Sequence, residues 1–168
     1  DLASLIESDS EYLTQLEVNE TGKPRAVFQD GELPFAADNL RFFAGAGRSL
    51  EGTAAAELSQ GFTSLLMRQP IGVIGSIAPW NFPLIMAIWK IGPALATGNA
   101  VVLKPAPNTP RSSLRLAELA IEAGLPPGLL NVVTGGNAVG EALVIDPNTS
   151  MISITGSTRA GQAVMAAA

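Results

Sequence analysis

Ile74-Gly-Ser-Ile-Ala-Pro-Trp-Asn-Phe-Pro-Leu-Ile-Met-Ala-Ile-Trp89 decides the architecture of this chain. Residues 74–78 form a short apolar run of β type. Pro79 and Pro83 then stiffen the backbone on both sides of Trp80-Asn81-Phe82. Pro83 opens a helix where a missing N–H costs nothing, and the apolar pattern carries that helix to residue 96, before Gly98-Asn99. A buried strand, a tight turn and a buried helix form half of a βαβ unit.

The same order repeats downstream. Residues 101–104 read as a strand. Thr109 is an N-cap candidate with Pro110 at the first helical position, and the helix reaches residue 123 before Gly124. Residues 130–133 read as a strand, followed by Gly135-Gly136 and a helix to about 145. Residues 151–155 form another strand, followed by Gly156 and a last helix. Strands separated by helices of this length imply a parallel, doubly wound, Rossmann-like α/β sheet. Upstream, Leu2, Leu5, Ile6, Leu13 and Leu16 keep a helical period until Thr21-Gly22, and Pro34 opens a second helix ending near Gly45–Gly47. Residues 62–67 suit an edge or hairpin strand. The expected division is a helical layer over 1–60 and an α/β unit over 61–168. The sheet is expected to be incomplete. The polar, acidic start has no leader-like pattern and reads as a helix entered partway, as in an excised piece of a longer protein.

Composition narrows the chemistry. Of 168 residues 47% are hydrophobic and 15% charged, enough for a buried core. Ten basic and fifteen acidic residues give a net charge of −5, and no basic cluster offers a nucleic-acid surface. There is no Cys and no His, which removes thiol chemistry, disulfides and the commonest metal ligands. Residues 71–89 lack charge, yet Pro79, Asn81 and Pro83 at their middle exclude a membrane-spanning helix. A cytoplasmic protein is expected.

In an open α/β sheet, ligands bind beyond the carboxyl ends of the strands. Three turns with chemical potential fall there. Asn81 presents a neutral amide donor on a stiff turn, able to stabilise an oxyanion at any pH; the turn also reads as rigid packing around Trp80. Lys104 ends a strand, where an ammonium can meet a nucleotide or simply snorkel to the surface. Gly156-Ser157-Thr158 opens a helix whose free N–H groups favour an anion, and also suits an ordinary capped helix. Gly135, Gly136 and Gly140 form a similar turn one strand earlier.

With these stretches, residues 17–23, 38–44, 69–84, 98–105, 122–126 and 155–161 together resemble the aldehyde dehydrogenase superfamily, over nearly the whole chain. The resemblance implies roles by position. Asn81 matches the oxyanion-hole amide. Pro79 and Trp80, with Ala78, line the cofactor cleft. Lys104 matches the lysine on the adenosine ribose, Gly136 and Gly140 the adenine-side turn, and Thr155, Gly156 and Ser157 the turn facing the pyrophosphate. The implied reaction is oxidation of an aldehyde to a carboxylic acid by NAD or NADP through a cysteine thiohemiacetal and thioester. Homodimers or homotetramers are usual in the family, with residues 62–67 a local piece of the interface.

Two features depart from the family pattern. The nucleophilic cysteine and general-base glutamate are expected beyond residue 168, so this chain with its aldehyde and cofactor needs the remainder of its protein and is expected to be inactive alone. Where the family often places a ribose-gripping Glu, this chain has Pro107, which leaves NAD and NADP both open. The competing reading is a non-catalytic nucleotide-binding or scaffolding module of the same fold, which would equally explain the absence of Cys.

Overall fold

The computed structural model describes the backbone of residues 1–168 and the side chains of all but Thr53 and Ala54. The amphipathic start is broken into two helices, α1 (Leu2–Ser8) and α2 (Ser10–Thr21), with Asp9 between them. Gly22, in the left-handed region at φ 72°, closes α2. A π-helical turn, Val27–Glu32, leads directly into α3 (Leu33–Arg48). Pro34 explains the wide turn: it has no N–H for the carbonyl four residues back, so the ladder loosens just ahead of it.

A two-stranded antiparallel hairpin follows, β1 (Thr53–Ser59) and β2 (Phe62–Leu66). The second strand agrees with the expectation for residues 62–67. The first escaped it because Thr-Ala-Ala-Ala-Glu-Leu-Ser carries helix-favouring residues, and strand pairing outweighs that preference.

The remaining elements are β3 (Val73–Ile77), α4 (Pro83–Ala96), β4 (Ala100–Lys104), α5 (Arg111–Glu122), β5 (Leu130–Val132), α6 (Asn137–Ile145), β6 (Thr149–Ile154) and α7 (Thr158–Ala167). The four strands form one parallel sheet in the order β5-β4-β3-β6. Helices α4 and α5 connect β3 to β4 and β4 to β5 on one face. Helix α6 carries the chain back past β3, which places it on the other face by the right-handed crossover rule. Helix α5 begins one residue later than expected. Pro110 holds the cap position, and the Thr109 hydroxyl is buried without a hydrogen bond instead of capping.

The core lies between the sheet and α4, with the N-terminal helices outside. Leu84, Ile88 and Ile91 of α4 meet Ile74, Val101 and Leu103 of the sheet and Ile6, Leu13 and Phe28 of the outer layer. Each fully buried aliphatic side chain contributes about 1.5–3 kcal/mol relative to exposure. Asn99 ties the end of α4 to the start of β3: its Oδ1 accepts from the N–H groups of Ile71 (2.8 Å) and Gly72 (3.1 Å), and its Nδ2 donates to Ala94 O. The starts of β3 and β4 are thereby held side by side, with Ala100 N–H also donating to Gly72 O at 3.1 Å. No helix among the described residues is long and apolar enough to cross a membrane.

Candidate active site

The strand tips are joined by backbone hydrogen bonds. Ala78 N–H donates to Lys104 O (3.0 Å), Thr155 N–H to Ile77 O (3.0 Å) and Val133 N–H to Leu103 O (2.9 Å). The chain leaves β3 toward β4 and β5 but returns on the other side of β3 as β6. The tips of β3 and β6 therefore flank a topological switch point, where an open α/β sheet forms its ligand crevice. Ala78, Pro79, Trp80 and Asn81 follow β3, Thr155, Gly156 and Ser157 follow β6, and Lys104 ends β4. All lie along one edge of the sheet.

The turn after β3 is open to solvent. Trp80 is 58% exposed, Asn81 is exposed, and no hydrogen bond to the Asn81 side chain occurs among the described residues. Its amide is free to donate outward. Phe82 holds the N-cap position of α4 with non-helical backbone, φ −135° and ψ 64°, and no side-chain hydrogen bond.

Lys104 is buried, and its Nζ donates to the carbonyl of Pro105 at 3.2 Å. Burial holds its pKa below the usual lysine value. The alkyl stem lies against α6: a Cβ placed on Gly140 would sit 3.6 Å from its Cδ and Cε. Gly136 caps α6, and Gly135 before it has φ 152° and would push a Cβ to 2.4 Å from Val139 Cγ2. The turn is therefore built on glycine, and the helix it opens packs against the Lys104 stem.

Ser157 caps α7, its Oγ accepting from Ala160 N–H at 3.2 Å. The hydroxyl proton stays free to donate to an anion at the helix N-terminus. A buried ammonium with one carbonyl partner, a glycine cradle and a capped helix start together suit a dinucleotide's ribose and phosphates.

Phe82, the residue after Asn81, lines a largely apolar groove of about 430 Å³ together with Val27, Glu32, Phe35, Met86 and Trp89. The Phe35 and Trp89 rings meet edge to face at 6.2 Å, and the indole N–H donates to Asn39 Oδ1.

Several polar residues escaped the sequence reading. Glu17, Lys23 and Glu32 form a buried charge cluster under Phe82. Lys90, on the inner side of α4, donates to Ser153 Oγ at 3.2 Å, and burial lowers its pKa to about 8. One signal for Glu17 was available: it follows Leu13 by four residues, so a carboxylate sits on the apolar face of α2.

The sequence matches the aldehyde dehydrogenase family over residues 1–168. It is 46% identical over 165 residues to the NADP/NAD-dependent aldehyde dehydrogenase PuuC of Escherichia coli (strain K12), covering 98% of this chain and 33% of that protein. It is 46% identical over 170 residues to the phenylacetaldehyde dehydrogenase of Pseudomonas fluorescens, covering 97% of this chain and 34% of that one. The crystal structure of PnpE in complex with nicotinamide adenine dinucleotide superposes with a TM-score of 0.94 at 42% identity, over 99% of this chain and 34% of PnpE. The chain thus spans about a third of the length of the curated relatives it matches. With sequence and fold agreeing from end to end, this chain belongs to the aldehyde dehydrogenase family.

Proposed function

We propose that this chain forms the cofactor-binding and oxyanion-stabilising part of an enzyme that oxidises an aldehyde to a carboxylic acid with NAD or NADP. Residues 61–168 serve as the cofactor unit; of residues 1–60, helices α1 to α3 brace it, while β1 pairs with β2 across that boundary. The observation that carries the reading is the convergence of the Asn81 turn, Lys104 and the Ser157 helix start on the tips of adjoining strands, beside an apolar groove.

Nicotinamide dinucleotide supplies the hydride acceptor when bound. Lys104 donates to the adenosine ribose, Gly136 and Gly140 leave room on the adenine side, and Ser157 with the α7 N-terminus holds the pyrophosphate. Ala78, Pro79, Trp80 and Thr155 form the walls between. Asn81 donates its amide N–H to the carbonyl oxygen of the aldehyde as negative charge develops there during attack by a cysteine thiolate. Residues 1–168 contain no cysteine, so they supply the amide and the cofactor cleft and not the thiol. The groove, free of unpaired charge, favours an aldehyde with an apolar body; Glu32 at its margin is already bound to Lys23. Pro107 stands on an exposed turn and offers no carboxylate to a ribose hydroxyl, which favours acceptance of both NAD and NADP. The exposed Leu58, Phe62, Leu65, Leu66 and Met67 of the hairpin support a homodimer or homotetramer through that element.

The test is aldehyde-dependent reduction of NAD and NADP by the full-length protein and its Asn81→Ala variant. The variant should lose about 2.7–4 kcal/mol of transition-state stabilisation, a fall of about 10²–10³ in kcat. Near-normal kcat/KM in the variant removes Asn81 from this role. A full-length protein that binds dinucleotide and turns over no aldehyde would favour the scaffolding module instead.

A further inference from the structure

Helix α2 carries two carboxylates one turn apart, and each caps a different helix of the α/β unit. Glu20 Oε2 accepts from Arg111 N–H, at the start of α5, at 3.0 Å. Glu17 Oε1 accepts from Leu84 N–H, at the start of α4, at 2.9 Å. The second cap is the unusual one. Glu17 has 1% of its surface exposed, and Pro83 beside Leu84 has no N–H of its own. The Leu84 bond therefore anchors the first turn of the helix that directly follows Asn81. Its other oxygen, Oε2, faces Lys23 Nζ at 3.3 Å. Lys23 in turn reaches Glu32 at 2.5 Å and lies 5.0 Å from the centroid of the Phe82 ring and 5.6 Å from that of Phe28. The Ser112 hydroxyl is near the same carboxylate but falls short of hydrogen-bond geometry, and it and Glu17 Oε2 remain without hydrogen bonds.

This arrangement is an expensive way to stabilise a fold. Burial is the main cause of the raised Glu17 pKa, outweighing Ser112, Lys23 and Leu84, which pull it down. A buried, incompletely bonded ion pair is commonly no more stable than an apolar replacement. What it adds is definition. The residue after Asn81 is held through its ring, and the helix two residues further on through its backbone. An oxyanion donor needs such definition, because misplacement of about 1 Å can cost about 100-fold in rate.

We propose that Glu17 is a positioning residue for Asn81, with Lys23 holding its carboxylate and the Phe82 ring in place. The inference rests on the reading of Asn81 as the oxyanion donor. Reach, more than charge, is the property that matters. Glu17→Asp keeps the charge beside Lys23 but withdraws the carboxylate from Leu84 N–H by about 1.5 Å. Glu17→Gln keeps the length and the acceptor and loses the charge.

The experiment is steady-state kinetics and thermal melting of the full-length protein with Glu17→Asp, Glu17→Gln and Glu20→Asp, each also combined with Asn81→Ala. Glu17→Asp should lower kcat about 10- to 100-fold with KM changed less than about threefold. That factor should vanish in the Asn81→Ala background, because an absent amide cannot be misplaced. Glu17→Gln should stay within about threefold of wild type. Glu20→Asp, which shortens the matching cap on α5, should change melting and leave kcat unaltered. The inference is overturned by an impaired Glu17→Gln beside a normal Glu17→Asp, by equal kcat losses for Glu17→Asp and Glu20→Asp, or by a Glu17→Asp factor that persists without Asn81. An impaired Glu17→Gln alone overturns it even when Glu17→Asp does not fold. Failure of the Asn81 reading is recognised separately, as an Asn81→Ala single variant with normal kcat/KM.

Discussion

Replacing Lys104 by Met separates what the residue does for the fold from what it does for the ligand. Methionine matches the length and apolar character of the stem, so the contact with Gly140 can be kept. The ammonium is buried with one carbonyl partner, Pro105 O at 3.2 Å, and its desolvation lowers the lysine pKa. A lysine whose folded pKa lies below its unfolded value contributes stability above the unfolded pKa and loses it as pH falls through the folded one. At neutral pH Lys104 is therefore a net burden on the free protein, set against one hydrogen bond to Pro105. Lys104→Met should leave the melting temperature of the ligand-free full-length protein unchanged or raised near pH 7. Any gain should shrink as the pH approaches 10.5, the ordinary lysine pKa. The ligand side has the opposite sign. A charge-assisted hydrogen bond contributes about 1.5–3 kcal/mol, so its removal weakens dinucleotide binding by about 10- to 150-fold. At saturating cofactor, kcat should hold within about threefold, because the contact is made equally in ground and transition states. Calorimetric titration with NAD and NADP, melting curves across pH, and kcat measured at saturation read all three. Unaltered affinity for both dinucleotides would refute the reasoning, and so would a loss of stability at neutral pH larger than about 1 kcal/mol.

Other residues give independent tests. Ser157→Ala removes the cap on α7 and should cost about 1 kcal/mol of stability together with a measurable rise in dinucleotide Kd, both read on the same sample by melting and titration. Lys90 has a folded pKa of about 8 against an ordinary 10.5, so it adds stability as pH rises between those values; Lys90→Met should remove that part of the rise in a urea-unfolding series from pH 7 to 11. With Pro107 in place of a ribose-gripping carboxylate, NAD and NADP should bind the full-length protein within roughly tenfold of each other, and a strong preference for NAD in a competition titration counts against this. Phe62→Ser with Leu66→Ser should lower the oligomeric order measured by light scattering, and an unchanged mass removes the hairpin from the interface.

Much of this protein is determined by local sequence. Pro79 and Pro83 mark the turn, apolar runs of strand length alternate with helical patterns, and Gly22, Gly98 and Gly124 stop helices because each sits at positive φ. The order of these signals is enough to specify a parallel α/β sheet and to put Asn81, Lys104 and Ser157 at strand and helix junctions. Strand order was a tertiary decision. Only the return of β6 to the far side of β3 makes the Asn81 and Ser157 turns neighbours, and no local pattern encodes which edge a strand joins. Pairing also made a strand of Thr53–Ser59, whose residues favour a helix in isolation. The Glu17 cluster lay furthest from view. Lys23 comes from the loop after α2, Glu32 from the π-helical turn and Leu84 from α4, and a carboxylate on an apolar helix face acquires a purpose only when a distant helix start needs an acceptor. Local propensity is a property of neighbours along the chain, whereas burial, pKa and capping across elements depend on what folding brings alongside.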